Sequence, residues 1–200
     1  MKSAREYADQ IAAIHRELQI PDDYSQGRSL PLQPEAIELV EVGLDLAGRP
    51  RQLVPAVAQA WFELKASAAS AGLEIQLISA YRSVAYQRGI IERKRARGLS
   101  WDEIFCRSAA PGYSEHHTGR AVDIGTPGSP PLELAFAETS AFEWLQRHAP
   151  VRGWRLSFPT GNPHGIAYEP WHWFCGPTAS PAYAGSELLT PSGQGGRRVE

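Results

Sequence analysis

The apolar positions of the first twenty residues repeat with a helical period. Tyr7, Ile11, Ile14 and Leu18 fall on one face of a helix over residues 3–18. Ser3 can cap its first turn, and Glu6 follows three residues later, the spacing of a capping box. Pro21 ends the pattern, and the Pro, Gly, Asp and Ser of residues 21–35 predict a loop. Residues 37–46 alternate roughly between apolar and polar, Gly48-Arg49-Pro50 is a turn, and residues 51–54 return as a hairpin partner. The Ala-rich stretch 55–71 places Val57, Trp61 and Leu64 on one face and predicts a second helix, stopped by Gly72. Residues 73–79 alternate most cleanly and predict a strand.

Ser83 then caps a helix that runs to Arg97 and is closed by Gly98, and Ser100 with Glu103 caps a short one. Residues 107–119 read as loop, residues 120–125 as a short strand, and residues 127–131 as turn. A helix over residues 139–148 is capped by Thr139 or Ser140, and residues 153–158, 165–168 and 171–175 are short strand candidates. Helices lead, strands cluster late, and no βαβ rhythm is present. The pattern predicts an α+β fold: a small, mostly antiparallel sheet flanked by helices. Residues 1–54 form a helix-and-hairpin extension packed on the main domain of residues 55–176. Residues 177–200, rich in Pro, Gly and Ser, predict a poorly ordered tail.

Composition narrows the function classes. Two hundred residues suit one well-packed domain, and the 42% hydrophobic and 21% charged fractions are ordinary for a soluble globular chain. A net charge of −2 gives no pull toward nucleic acid or an anionic membrane, so neither is expected as a partner. No apolar run approaches the length of a membrane span. Residues 1–7 lack the apolar core of a secretion signal, which predicts the cytoplasm as written, or the periplasm or cell wall if a leader has been removed. A monomer is expected. Cys106 and Cys175 alone make no disulfide framework and read as free thiols.

The chemistry lies in two short stretches, Ser114-Glu115-His116-His117-Thr118-Gly119-Arg120-Ala121-Val122-Asp123 and Glu169-Pro170-Trp171-His172. They offer the imidazoles of His116 and His172, the carboxylate of Asp123, and a second carboxylate, Glu169. A catalytic zinc site needs three protein ligands, an open position for water, and a general base beside it. Pro170 forbids a helix between Glu169 and His172, and a regular strand would send the two to opposite faces. Their joint use therefore demands a kink at Pro170-Trp171. The other histidines ask for less: His117 reads as a solvent-facing ring, His164 as a loop residue, and His15 and His148 as structural groups on helices. The five Lys and Arg of residues 88–97 read as a solvated helix face.

Ser-x-His-x-x-Gly-x-Ala-x-Asp at residues 114–123, Glu-Pro-Trp-His at residues 169–172, and Tyr81-Arg82-Ser83 with Gln87 together resemble the VanY-like zinc D-Ala-D-Ala carboxypeptidases. The wider group includes lysostaphin-type enzymes and the hedgehog signalling domain. The resemblance covers about residues 55–175 and makes that domain a zinc peptidase. It implies Zn2+ held by His116, Asp123 and His172, with Glu169 as general base. It further implies Arg82 on the oxyanion or the terminal carboxylate, and Gln87 and Ser114 as substrate contacts. The implied substrate is a peptide ending in D-alanine or a peptidoglycan stem peptide. An L,D-carboxypeptidase, an endopeptidase, and a non-catalytic zinc-stabilised binding module stay open. The sequence departs where the family often carries Arg two residues after the last His, here Phe174, and where it often has Arg-Tyr-Pro, here Ser157-Phe158-Pro159. Both changes remove a cation from the site.

Overall fold

A computed structural model describes residues 3–176; the tail expected over residues 177–200 lies outside the described residues. Helix α1 (Ala4–Leu18) carries the Ser3–Glu6 capping box in full and ends at Gln19 in the left-handed conformation. A hairpin of β1 (Val40–Leu44) and β2 (Pro50–Leu53) follows. Helix α2 (Pro55–Ser70) starts with Pro55, whose missing N–H is no loss at a first-turn position. Strand β3 (Gln76–Ser79), helix α3 (Val84–Ala96) and the short helix α4 (Trp101–Phe105) come next, with Ser83 and Ser100 as side-chain caps. The rest of the domain is β4 (Ala121–Gly125), α5 (Ser140–His148), β5 (Trp154–Leu156) and β6 (His172–Cys175).

The main sheet has the order β3-β4-β6-β5, with every pairing antiparallel. The expected α+β architecture with a small antiparallel sheet is borne out. Strand alternation then divides the two faces. Val122 and Ile124 of β4 and Trp173 and Cys175 of β6 join the main core, against Val57, Trp61 and Leu64 of α2 and Leu145 of α5. Asp123 and His172, offset by one residue along their strands, belong to the opposite face. The loop before β4 and helices α3 and α4 lie over that face, held by a second apolar cluster that includes Ile91, Ile104 and Phe105. All five residues of β4 are buried, as a strand covered on both faces requires.

Residues 165–168 are not a strand. Their polar backbone groups are taken individually instead of by a ladder: Ala167 N–H donates to the Cys106 carbonyl, and the Ile166 and Gly165 carbonyls accept from the Asn162 and Arg28 side chains. The loop of residues 107–119 contains a 3-10 turn at Glu115–Thr118, too short for a periodic signal. Residues 3–54 pack on this loop. Gln33 N–H donates to the Gly112 carbonyl, Ala36 N–H to that of His117, and Val54 N–H to that of Gly119. Among the described residues no helix is long and apolar enough to cross a membrane.

Candidate functional site

Asp123 and His172 are direct partners in the β4–β6 register, so their side chains leave the same face side by side. His116 arrives from the 3-10 turn that precedes β4. Gly119 closes that turn at φ 63°, and a Cβ there would come within 3.0 Å of Leu39 and Val54. Only glycine both adopts that backbone and admits that contact. His116 Nδ1–H donates to the Ala80 carbonyl at 2.6 Å, which points Nε2 at Asp123 Oδ2, 3.3 Å away. His172 Nδ1 lies 3.1 Å from Asp123 Oδ1. One ligand atom from each of the three residues falls within 4.8 Å of the others, all of them buried.

Glu169 reaches the same place by the kink that the sequence demands. His172 N–H turns back to the Glu169 carbonyl at 3.1 Å, while Glu169 N–H donates to Phe158 at 3.0 Å. The Pro170-Trp171 pair is therefore a turn, and β6 begins only at His172. Arg82 sits between β3 and α3; its backbone N–H donates to the His116 carbonyl, and its Nε is buried without a hydrogen-bond partner among the described residues. Gln87 is buried, with Nε2 donating to the Ala109 carbonyl and Oε1 left without a partner. Ser114 is buried at the head of the 3-10 turn, where its hydroxyl makes no capping bond. All seven expected site residues line one cavity of about 260 Å³.

Electrostatics separates the groups. Burial pushes Glu169 up to about 7, against the opposing pull of His172 and Arg82. Burial also lowers His116, to about 4, and the nearby Arg82 cation adds to it. Asp123 goes the other way: burial would raise it, but His116 and His172 hold it well below the usual carboxylate range. Burial opposes charge on His172 as well, yet its bonds to Asp123 and Glu115 outweigh this and raise it to about 9.

Three findings depart from the sequence expectations. His117 does not face solvent: it is fully buried, with Nδ1–H donating to the Arg82 carbonyl at 2.6 Å and Nε2 accepting from Gly112 N–H at 3.1 Å. It thus ties the turn bearing His116 to the segment bearing Arg82. Lys94 leaves the solvated face of α3 and lines the cavity half-buried, its Nζ donating to Ser108 Oγ at 2.7 Å. A cation is also present near the positions held by Phe174 and Ser157. The Arg155 guanidinium lies 4.0 Å from the centre of the Phe174 ring.

Glu115 was not singled out by sequence. It is buried, and its Oε2 is 3.0 Å from His172 Nε2. A charged residue between Ser114 and His116 was the one available signal, and within a four-residue turn no periodicity assigns it a face. The reading of residues 88–97 as a solvated helix face holds for Arg93, Arg95 and Arg97, which are exposed, and Arg88 pairs with Glu17 and Glu92. Cys106 and Cys175 are free thiols.

The model of the VanY family, D-alanyl-D-alanine carboxypeptidase, matches residues 50–177. The chain belongs to this family. It is 33% identical over 128 residues to the bifunctional D-Ala-D-Ala dipeptidase and D-Ala-D-Ala carboxypeptidase VanXYC of Enterococcus gallinarum. That match takes in 60% of this chain and 65% of the relative, so the chain spans just under two thirds of that protein. Among solved structures, the LdcB LD-carboxypeptidase superposes with a TM-score of 0.64 at 26% identity, over 73% of this chain and 72% of that one. A variant of the vancomycin-resistance D,D-pentapeptidase VanY in complex with Zn(II) shares the fold, with a TM-score of 0.58 at 24% identity, over 74% and 83% of the two chains.

Proposed function

We propose that this VanY-family chain is a zinc-dependent carboxypeptidase that hydrolyses the bond before a C-terminal D-alanine in peptidoglycan-type peptides. The observation that carries this reading is the convergence of His116 Nε2, the Asp123 carboxylate and His172 Nδ1 beside Glu169 in one cavity. The donor set fits zinc, which takes imidazole nitrogen and carboxylate oxygen and leaves a position open in catalytic sites. His116 Nε2 fits it too: it is a buried nitrogen with no hydrogen-bond partner among the described residues. When bound, zinc supplies a Lewis acid and lowers the pKa of a bound water toward about 7.

The chain's own residues do the rest. Glu169, as carboxylate, accepts the proton of the attacking water and delivers it to the leaving amine. Its raised affinity for protons suits both halves of that task. Arg82 offers planar donors to the developing oxyanion or to the terminal carboxylate, and its unpartnered Nε leaves that capacity free. Gln87 Oε1 offers an acceptor to a substrate N–H, and the Ser114 hydroxyl offers a further contact.

A second reading has one observation behind it. The likeness to the LdcB LD-carboxypeptidase favours removal of a D-alanine that follows an L-configured centre. Release of D-alanine from three peptides separates the two: the D-Ala-D-Ala dipeptide, a pentapeptide ending in D-Ala-D-Ala, and a tetrapeptide ending in a single D-Ala. The expected outcome is chelator-sensitive release from the pentapeptide. Release from the tetrapeptide alone would make the enzyme an L,D-carboxypeptidase. No release from any of them by zinc-loaded protein would leave an endopeptidase or a binding module.

A further inference from the structure

Glu115 has no part in the proposed mechanism, yet its buried carboxylate accepts three hydrogen bonds. Its side chain is 8% exposed. Oε2 accepts from His172 Nε2 at 3.0 Å and from Ser157 Oγ at 2.5 Å, and Oε1 accepts from Arg155 Nη2 at 2.6 Å. A buried carboxylate without such donors is costly. Here the donors come from β6, from β5 and from the residue just beyond it. Glu115 lies on the Nε2 side of the His172 ring, away from the Nδ1 that faces Asp123. It stands outside the three-residue group that can hold a metal.

We propose that Glu115 is a positioning residue for His172, and that Arg155 and Ser157 act through it. The inference rests on the zinc reading given above. A neutral imidazole has one N–H and one lone pair, and a flip of the ring exchanges them. A metal binding at Nδ1 would displace the proton that the metal-free ring shares with Asp123, and a carboxylate held at Nε2 keeps the remaining proton there, leaving the Nδ1 lone pair for the metal. His116 is fixed in the complementary sense, with Nδ1–H on the Ala80 carbonyl and Nε2 aimed at Asp123. The two rings thus present opposite nitrogens to one point, and each has its remaining N–H tied into the protein.

Arg155 is built to hold Glu115 in turn. It pairs with Phe174 across the β5–β6 register, and its guanidinium stacks on that ring. The stack leaves the edge of the planar fork free to reach Glu115. A flexible ammonium at position 155 would have neither the flat face nor the fork.

The test is the zinc affinity of the full chain, measured by competition with a chromogenic chelator, together with the visible spectrum of the cobalt-substituted protein. Glu115→Gln keeps the shape and removes the charge; it should weaken zinc roughly 10- to 100-fold and shift the cobalt bands. Arg155→Ala should weaken zinc less on its own and have no further effect in the Glu115→Gln background. Purely local roles would instead give independent, additive losses. The side chain of Arg155 is 54% exposed, so Arg155→Ala should fold even if Glu115→Gln does not, and thermal melts of the metal-free proteins check this. Folded Glu115→Gln, or folded Arg155→Ala and Ser157→Ala, binding zinc within about twofold of the parent would overturn the proposal. A parent chain that binds no zinc would overturn the underlying reading, and that result appears before any variant is made.

Discussion

Three carboxylates surround His172, and two of them, Glu169 and Glu115, are driven apart. Burial pushes Glu169 up to about 7, whereas the bonds from His172, Ser157 and Arg155 overcome burial at Glu115 and hold it near 2. One remains an anion throughout and orients; the other can exchange a proton near neutrality. The sign of the pH dependence follows. Glu169 must be ionised to accept a proton, so kcat/KM falls as pH drops through its pKa. The upward shift moves that loss from the ordinary 4.5 toward 7, and a cation bound beside it draws it partly back. A pH profile of D-alanine release should therefore show an acid limb between these values, and activity that stays flat down to pH 4.5 contradicts the assignment. At this scale the sequence was legible where residue types fall in a joint pattern of spacing: His116, Asp123, Glu169 and His172, which the fold brings to one cavity. It was silent on Glu115 and misleading on His117, because both take their roles from partners distant in the chain, Arg155 and Arg82 among them.

Elements bring these residues together through register and turn geometry. Asp123 and His172 meet because β4 and β6 pair antiparallel with those two residues opposed. A slip of one residue would send one of them into the core. His116 meets them because the 3-10 turn ends at a left-handed glycine crowded by Leu39, Val54 and Ala36. Gly119→Ala should cost about 2 kcal/mol, from backbone strain and overpacking together, and should weaken metal binding. Urea midpoints and chelator competition on the same variant measure both, and parent-like values would contradict this account of the turn. Capped helices were the most legible elements: Ser3, Ser83, Ser100 and Thr139 each cap where their spacing indicates. The strands are shorter than their alternation suggests, since only the paired residues count. Residues 165–168 show the limit, because an apolar extended stretch without a neighbouring strand satisfies its backbone piecemeal.

Across the whole molecule, the residues before the family match are joined to the site rather than set apart from it. The match begins at residue 50. Yet Ile11 of α1 fills the space left by Gly112, Glu35 accepts from the Val84 N–H at the start of α3, and residues 33–36 bond along the loop that carries His116. Sequence patterning revealed the helix and the hairpin of this region but not what they touch, because long-range contacts leave no local period. The sheet serves as a partition, with the apolar core on one face and the cavity that holds the charged residues on the other. The proposed function makes this cavity a zinc peptidase site in which Glu169 moves the proton. Its most direct test is Glu169→Gln, with zinc content and D-alanine release measured on one preparation. The account predicts that zinc stays bound while the rate falls by about two to four orders of magnitude. Undiminished release by that variant would contradict it.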